Sequence, residues 1–430
     1  MYPLLQLALD FVDFTRALKV AKMATEGGVD WIEAGTPLLK SEGLRVIREL
    51  RKNFPKSTIV ADMKTMDAGR IEMETAAKAG ANVATVMGVA SDATIKECII
   101  AGHNYGIKIG VDLLGVENLV KRAEDVGKWG ADFVGLHTAI DDQMKGKCSL
   151  DKLNDLCSKV KLPVAVAGGI NSETVVDAIN AGAEIVVVGG AICKAKDVKK
   201  ATEEIKLAMK NCTKVPTTFF KRTTSSNITE ILSKVSTANI SDGNHRKSGI
   251  AGLIPICKSV KIVGKAVTVR TCPGDWAKPV EAIDEANEGD VIVIDAGGDG
   301  PAVWGELATI SARKKGLAGT VVNGAVRDVR EIRKLKYPVF TRKIVPHAGE
   351  PKGLGELNVP INISGITINP GDWIVGDDDG LMVIGKHEVE EVANHAMDWL
   401  EKENRLREEI IDGNTTLGKV MELLKWERKY

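Results

Sequence analysis

Eight short apolar runs recur through residues 1–211, each followed by an amphipathic stretch, and this repetition restricts the fold more than any other feature. The runs are LLQLALD, WIEAG, TIVADMK, VATVMG, IKIGVDLL, FVGLHT, PVAVAGG and IVVVGG, with starts roughly 20 to 30 residues apart. Helix-like segments such as GLRVIRELRKNF and NLVKRAEDVGKWG separate them. Strands alternating with helices imply parallel βαβ units. Eight units in about 210 residues predict a closed (β/α)8 barrel. The rival is an open doubly wound sheet, but no G-x-G-x-x-G follows the first run.

The chain has 430 residues, more than a single hydrophobic core usually organises, so two domains are expected. The rhythm stops at residues 212–227, CTKVPTTFFKRTTSSN, which reads as a linker. Residues 228–430 form a second, more β-rich α/β domain. Its segments are KIVGKAVTVRTC, GDVIVIDAGG, LAGTVVNGAVRD, PVFTR and INISGITINPGDWIVGDDDGLMVI, the last with turn signals NPGD and DDDG. A charged tail from about Glu388 to Lys425 has helical spacing.

Composition removes several function classes. The formal net charge is zero, so no direct nucleic-acid partner is expected. No stretch approaches 18 uncharged apolar residues, which argues against a membrane span. MYPLLQLALDF lacks a basic leader region and an aspartate breaks its apolar run, so no secretory signal is expected. The seven cysteines form no C-x-x-C pair, which suits reduced thiols in a cytoplasmic protein.

Active sites of (β/α)8 barrels lie at the C-terminal ends of the strands. Asp10 closes the first run, Glu33 lies in the second, and Asp62 and Lys64 in the third, with Asp67 just beyond. Asp112 lies in the fifth and His137 in the sixth; Gly168-Gly169 and Gly189-Gly190 end the last two. Singly, a strand-end aspartate more often caps a turn or helix, and a glycine pair is more often a tight turn. Five runs ending in ionisable groups, with glycine turns where many barrels hold phosphate, predict a site for a phosphorylated small molecule. Glu33 and Asp62 could share Mg²⁺, which takes hard oxygen ligands and retains waters.

LALD, Glu33, DMKTMD, GLHTAIDDQ, VAGGI and VVVGGAI together resemble the orotidine-monophosphate-decarboxylase superfamily, in particular its 3-hexulose-6-phosphate synthase branch. The resemblance covers nearly all of residues 1–211. It implies a Mg²⁺-dependent, reversible aldol reaction between ribulose 5-phosphate and formaldehyde. By that resemblance Glu33 and Asp62 hold the metal, Lys64 neutralises the enediolate, and His137 moves the proton at C1. Asp10 orients Lys64 or substrate hydroxyls, and Asp112 contacts substrate. Asp67 reaches into a neighbouring subunit's site, and Gly168, Gly169, Gly189 and Gly190 hold the phosphate. A sister branch decarboxylates 3-keto-L-gulonate 6-phosphate. It tends to carry Glu at Asp112, Arg near Ile140, Thr at Ala167 and Arg at Gly190, and all four positions here lean towards the synthase.

The second domain contains DAGGDGPAVWGELATISARKKGLAGTVVNGAVRDVREI. Asp295 is expected to end a strand, Gly297-Gly298 to turn, and a helix to run from Trp304 to about Lys315. Arg327-Asp328 then sit at a turn, where a surface ion pair alone is worth little. Most of residues 228–390 resemble the RraA-like and 4-hydroxy-4-methyl-2-oxoglutarate aldolase superfamily. Its aldolases show Asp, twenty residues, then Arg-Asp; here the first position is Glu306. The resemblance implies a divalent metal on Asp328, a pyruvate-type carboxylate on Arg327, and a pocket completed by the backbone of Gly305, Glu306, Leu307 and Ala308. Retro-aldol cleavage or oxaloacetate decarboxylation competes with a non-catalytic regulator that binds a ribonuclease. Both resemblances imply homo-oligomers.

Overall fold

The computed structural model describes residues 3–146, 150–217 and 227–421. Residues 218–226 of the expected linker, and 422–425 of the expected helical tail, lie outside the described residues. The chain divides into two compact units, Met1–Gln143 with Lys147–Lys221, and Met144–Gly146 with Arg222–Tyr430.

In the first unit each apolar run forms a strand: β1 (Leu4–Leu9), β2 (Trp31–Ala34), β3 (Thr58–Thr65), β4 (Val83–Met87), β5 (Lys108–Asp112), β6 (Phe133–His137), β7 (Val164–Ala167) and β8 (Ile185–Val188). Each pairs in parallel with the next, and β8 returns to β1 with Leu4 opposite Ile185, so the barrel closes. Strands buried on both faces read as continuous apolar runs. Outward-facing Leu5, Leu7, Leu9, Ile32 and Ile59 pack under the helices. Inward-facing Val60, Val83, Phe133, Ala165 and Ile185 plug the barrel's lower interior. The Phe133 ring meets Trp31 edge-on at 6.2 Å. It crosses the barrel over Gly110, where any Cβ would run into the ring. Two residues further along β3 and β5, the same inward faces carry Asp62 and Asp112 in place of apolar side chains.

One irregularity matters for the site. The β3–β4 register runs Val60↔Val83 and Ala61↔Ala84, then resumes at Thr65↔Val86. From Ala61 to Thr65 β3 advances four residues while β4 advances two, so two residues bulge from the ladder. Within the bulge Lys64 adopts a left-handed backbone, φ 46°.

The second unit is built on a nine-stranded sheet. Its strands are β9 (Ile254–Pro255), β10 (Ile262–Arg270), β11 (Val291–Asp295), β12 (Ala302–Trp304), β13 (Gly319–Val326), β14 (Val339–Ile344), β15 (Glu356–Leu357), β18 (Trp373–Asp377) and β19 (Gly380–Ile384). β16 (Ile361–Ile363) and β17 (Ile366–Ile368) form a separate hairpin. The main order is β19-β18-β10-β11-β13-β14-β9, with β12 on β13 and β15 on β10. A bridge from Ile250 to Leu381 draws the outer edges together, so the sheet is nearly closed. Trp304 corrects one sequence expectation. It ends β12, in register with Val326, and the helix begins only at Glu306. Pairing with β13 overrides the local helical pattern. The tail is helical over Val389–Asp412 and Leu417–Val420. Among the described residues no helix is long and apolar enough to cross a membrane.

Candidate active site

Asp112 is the hub of the barrel mouth. It ends β5 and is buried, 7% exposed. Its Oδ2 lies 2.7 Å from Lys64 Nζ and 3.4 Å from His137 Nδ1, while Oδ1 accepts the Leu114 N–H at 2.9 Å. Burial alone would raise its pKa; the hydrogen bond from His137 and the charge of Lys64 outweigh it and lower the value to about 2.

Lys64 also faces Asp62, with Nζ 3.2 Å from Oδ2. Burial works against its charge, but Asp62 and Asp112 more than compensate and raise its pKa, so the ammonium persists through the physiological range. Asp62 is itself held on both sides. Thr85 donates to its Oδ1 at 2.8 Å, and the Thr36 hydroxyl lies 2.8 Å from its Oδ2 and 2.7 Å from its carbonyl oxygen.

Glu33 is buried on β2 and accepts a hydrogen bond from Gln6 Nε2. Loss of solvation pushes its pKa well up, and the nearby Asp62 and Asp10 push further in the same direction. Asp10 is open to solvent at one edge, yet the protein around its carboxyl group and the charge of Asp62 raise its pKa too. Its carboxylate packs against Gly35 and Gly189, and a Cβ at Gly35 would overlap it.

Four carboxylates, Asp10, Glu33, Asp62 and Asp112, against one lysine make an arrangement a divalent cation relieves. Gln6 Oε1, next to Glu33, is buried without a hydrogen-bond partner. Among the described residues no three His, Cys, Asp or Glu side chains form a ready-made metal cage. Glu33 and Asp62 thus offer two hard oxygen donors and leave other positions to substrate and water, which suits Mg²⁺.

The glycine turns follow β7 and β8. Gly168 and Gly169 have φ of 107° and 71°, a region closed to most side chains. A Cβ on Gly168 would also meet Gln143 Nε2, which donates to the Thr138 carbonyl at 2.8 Å. Gly189 precedes the short helix Gly190–Cys193.

Asp10, Glu33, Asp62, Lys64, Asp112 and His137 therefore converge at the barrel mouth, while Asp67, expected at a neighbouring subunit's site, lies apart from them. Asp67 accepts its own Ala68 N–H at 2.7 Å and lines an open groove with Gly69, Arg70, Ala93 and Thr94. Three polar residues that sequence reasoning missed hold the cluster: Gln6, Thr36 and Thr85. Gln6 and Thr85 carried a signal, as polar residues inside the apolar runs LLQLAL and VATVM.

In the second unit the structure joins Gly305, Glu306, Arg327 and Asp328. Arg327 N–H donates to the Trp304 carbonyl at 3.1 Å, and Glu306 N–H donates to Asp328 Oδ2 at 3.2 Å. Arg327 Nε lies 3.5 Å from the same oxygen. Asp328 is left-handed, φ 60°. Leu307 is 80% exposed, and Ala308 packs partly against the domain core. The Gly297-Gly298 turn is braced separately: Gly297 N–H donates to Asp295 Oδ1, which also accepts from Asn323 Nδ2. Arg342 Nε in turn donates to Asn323 Oδ1 at 2.7 Å.

Both halves of the chain resemble known proteins. The Orotidine 5'-phosphate decarboxylase / HUMPS family model matches residues 3–205, and the RraA-like model, Aldolase/RraA, matches 237–383. The 3-hexulose-6-phosphate synthase of Staphylococcus epidermidis is 39% identical over 206 residues, 48% of this chain and 98% of that protein. The synthase of Mycobacterium gastri is 42% identical over 205 residues, 48% of this chain and 99% of its own length. A crystal structure of 3-hexulose-6-phosphate synthase, 42% identical, covers 48% of this chain and 99% of that chain with a TM-score of 0.47. The chain thus belongs, through its barrel, to the orotidine 5'-phosphate decarboxylase / HUMPS family, alongside 3-hexulose-6-phosphate synthases, and carries an RraA-like domain after it.

Proposed function

We propose that the barrel is a 3-hexulose-6-phosphate synthase, which joins formaldehyde to ribulose 5-phosphate and runs in either direction. The observation that carries this reading is the linked group of Lys64, Asp112 and His137, with both basic side chains on one Asp112 oxygen. The named relatives, matched over nearly their whole length, support it.

The chemistry follows from the arrangement. His137 turns Nδ1 to Asp112, leaving Nε2 to take a proton from C1 of ribulose 5-phosphate. The electron pair left on C1 delocalises onto the C2 oxygen as an enediolate. Lys64, fixed as a cation, stabilises that oxygen. C1 then attacks the formaldehyde carbon, and the new alkoxide takes the proton back from His137. Asp10 orients Lys64 or the sugar hydroxyls, Asp112 supports the substrate end of the cluster, and the Gly168-Gly169 and Gly189-Gly190 turns hold the phosphate. Mg²⁺ on Glu33 and Asp62 would supply positive charge beside the substrate oxygens. Asp67, turned away from its own cluster, is suited to the site of a second copy in a homo-oligomer, which light scattering tests.

For the second domain the favoured reading is a metal-assisted retro-aldol or oxaloacetate decarboxylation pocket, with Asp328 holding the metal largely through water. Its support is the convergence of the Glu306 N–H and the Arg327 side chain on one Asp328 oxygen, which leaves the other carboxylate oxygen for a metal-bound water. Pyruvate release from oxaloacetate that disappears in Asp328→Ala is the expected result. Binding of a ribonuclease without any such turnover would favour the regulator.

The test of the barrel is formaldehyde consumption with ribulose 5-phosphate and Mg²⁺. No turnover in the wild type would reject the synthase.

A further inference from the structure

Why can β3 present both Asp62 and Lys64 to the barrel mouth? The two-residue bulge between Ala61 and Thr65 takes the backbone of this stretch out of the β3–β4 ladder. A backbone N–H removed from its ladder must find another partner or carry a desolvation cost. The Lys64 N–H finds the side chain of Thr85, on the neighbouring strand, at 3.1 Å. The same Thr85 oxygen donates its own proton to Asp62 Oδ1 at 2.8 Å. One hydroxyl thus accepts from the Lys64 backbone and donates to the Asp62 carboxylate.

We infer that Thr85 is a positioning residue, whose one hydroxyl locks the left-handed Lys64 backbone and anchors the Oδ1 side of the Asp62 carboxylate, opposite Thr36 on Oδ2. The inference rests on the proposed synthase reading only for its activity readout. Thr85 sits inside the barrel between Val83 of the plug and the mouth, in a strand otherwise apolar over VATVM. Its methyl group could be supplied by valine, but its hydroxyl could not. A left-handed non-glycine residue costs roughly 1 kcal/mol, so it persists only where neighbours hold it. With its Oδ1 taken by Thr85, Asp62 presents Oδ2 to Lys64 Nζ. The spacing of DMK is therefore productive only with a hydroxyl opposite it on β4.

The test compares full-length wild type, Thr85→Val and Thr85→Ser. Two readouts are taken: kcat and KM for ribulose 5-phosphate, and hydrogen exchange at the Lys64 amide. Thr85→Val keeps the shape and is expected to lower kcat about 10–100-fold with KM for the sugar phosphate nearly unchanged. The Lys64 amide should exchange about five- to tenfold faster in that variant. Thr85→Ser should restore both. Unchanged Lys64 exchange in Thr85→Val, or a serine variant no better than valine, overturns the inference. If Thr85→Val fails to fold, serine is compared with Thr85→Ala on the same two readouts. If the wild type consumes no formaldehyde, the synthase reading fails while the exchange comparison still decides the role of Thr85.

Discussion

The two halves of the chain place similar charged groups in opposite surroundings. In the barrel, Lys64 meets Asp112 at 2.7 Å with side-chain exposures of 24% and 9%. In the second domain, Arg327 meets Asp328 at 3.5 Å with exposures of 45% and 39%. Water screens the second pair, which is worth at most about 1 kcal/mol. The buried group interacts in a weaker dielectric, and each member depends on the others. The contrast teaches that charge identity alone does not make a site: the barrel site is pre-assembled and internally paired, whereas the second remains open to whatever binds there.

Substitutions at the mouth sharpen this contrast most. Lys64→Ala should lower kcat by about 10²–10³-fold or more, because the enediolate loses its fixed cation. His137→Ala should cost about 10²–10⁴-fold. Equal losses from Arg327→Ala would break the comparison, because a screened pair in the other domain has no part in the barrel's chemistry.

Asp112 and Glu33 have opposite pH signatures. The folded-state pKa of Asp112, about 2, lies below its ordinary 3.8, so its contribution is present above that value and lost as pH falls through 2. The difference corresponds to an order of 2 kcal/mol. Glu33 shifts the other way. Its folded-state pKa lies well above 4.5, so the folded state holds the proton more tightly and stability declines as pH rises through that interval. Glu33→Gln in chelator at neutral pH is therefore expected to raise the unfolding temperature while lowering activity. Mg²⁺ should raise the unfolding temperature of the wild type more than that of Glu33→Gln. Thermal unfolding with and without Mg²⁺ checks both. A destabilised Glu33→Gln protein would contradict the strained-carboxylate account.

The smallest effect belongs to the second domain. Asp328→Ala should change its stability by less than about 1 kcal/mol, read from denaturant unfolding, and should leave formaldehyde consumption unchanged. The exception would be a structural role for its bond to the Glu306 amide.

The eight barrel strands were legible because doubly buried parallel strands leave unbroken apolar runs, and the mouth because its charged residues fall at run ends. The DMK spacing gave the residues but not their presentation. Strict alternation already puts Asp62 and Lys64 on one face, and nothing in it discloses the bulge, the left-handed Lys64 or the hydroxyl opposite. Those features come from a neighbouring strand some twenty residues away. Trp304 was misread as helical for a similar reason, since its strand state depends on Val326 beside it.

The most direct measurement is formaldehyde consumption by the full-length protein with ribulose 5-phosphate and Mg²⁺, beside Asp62→Ala and Asp328→Ala. The account predicts turnover in the wild type and in Asp328→Ala, and its loss in Asp62→Ala. Turnover that survives in Asp62→Ala, or fails in the wild type with excess Mg²⁺, would contradict it.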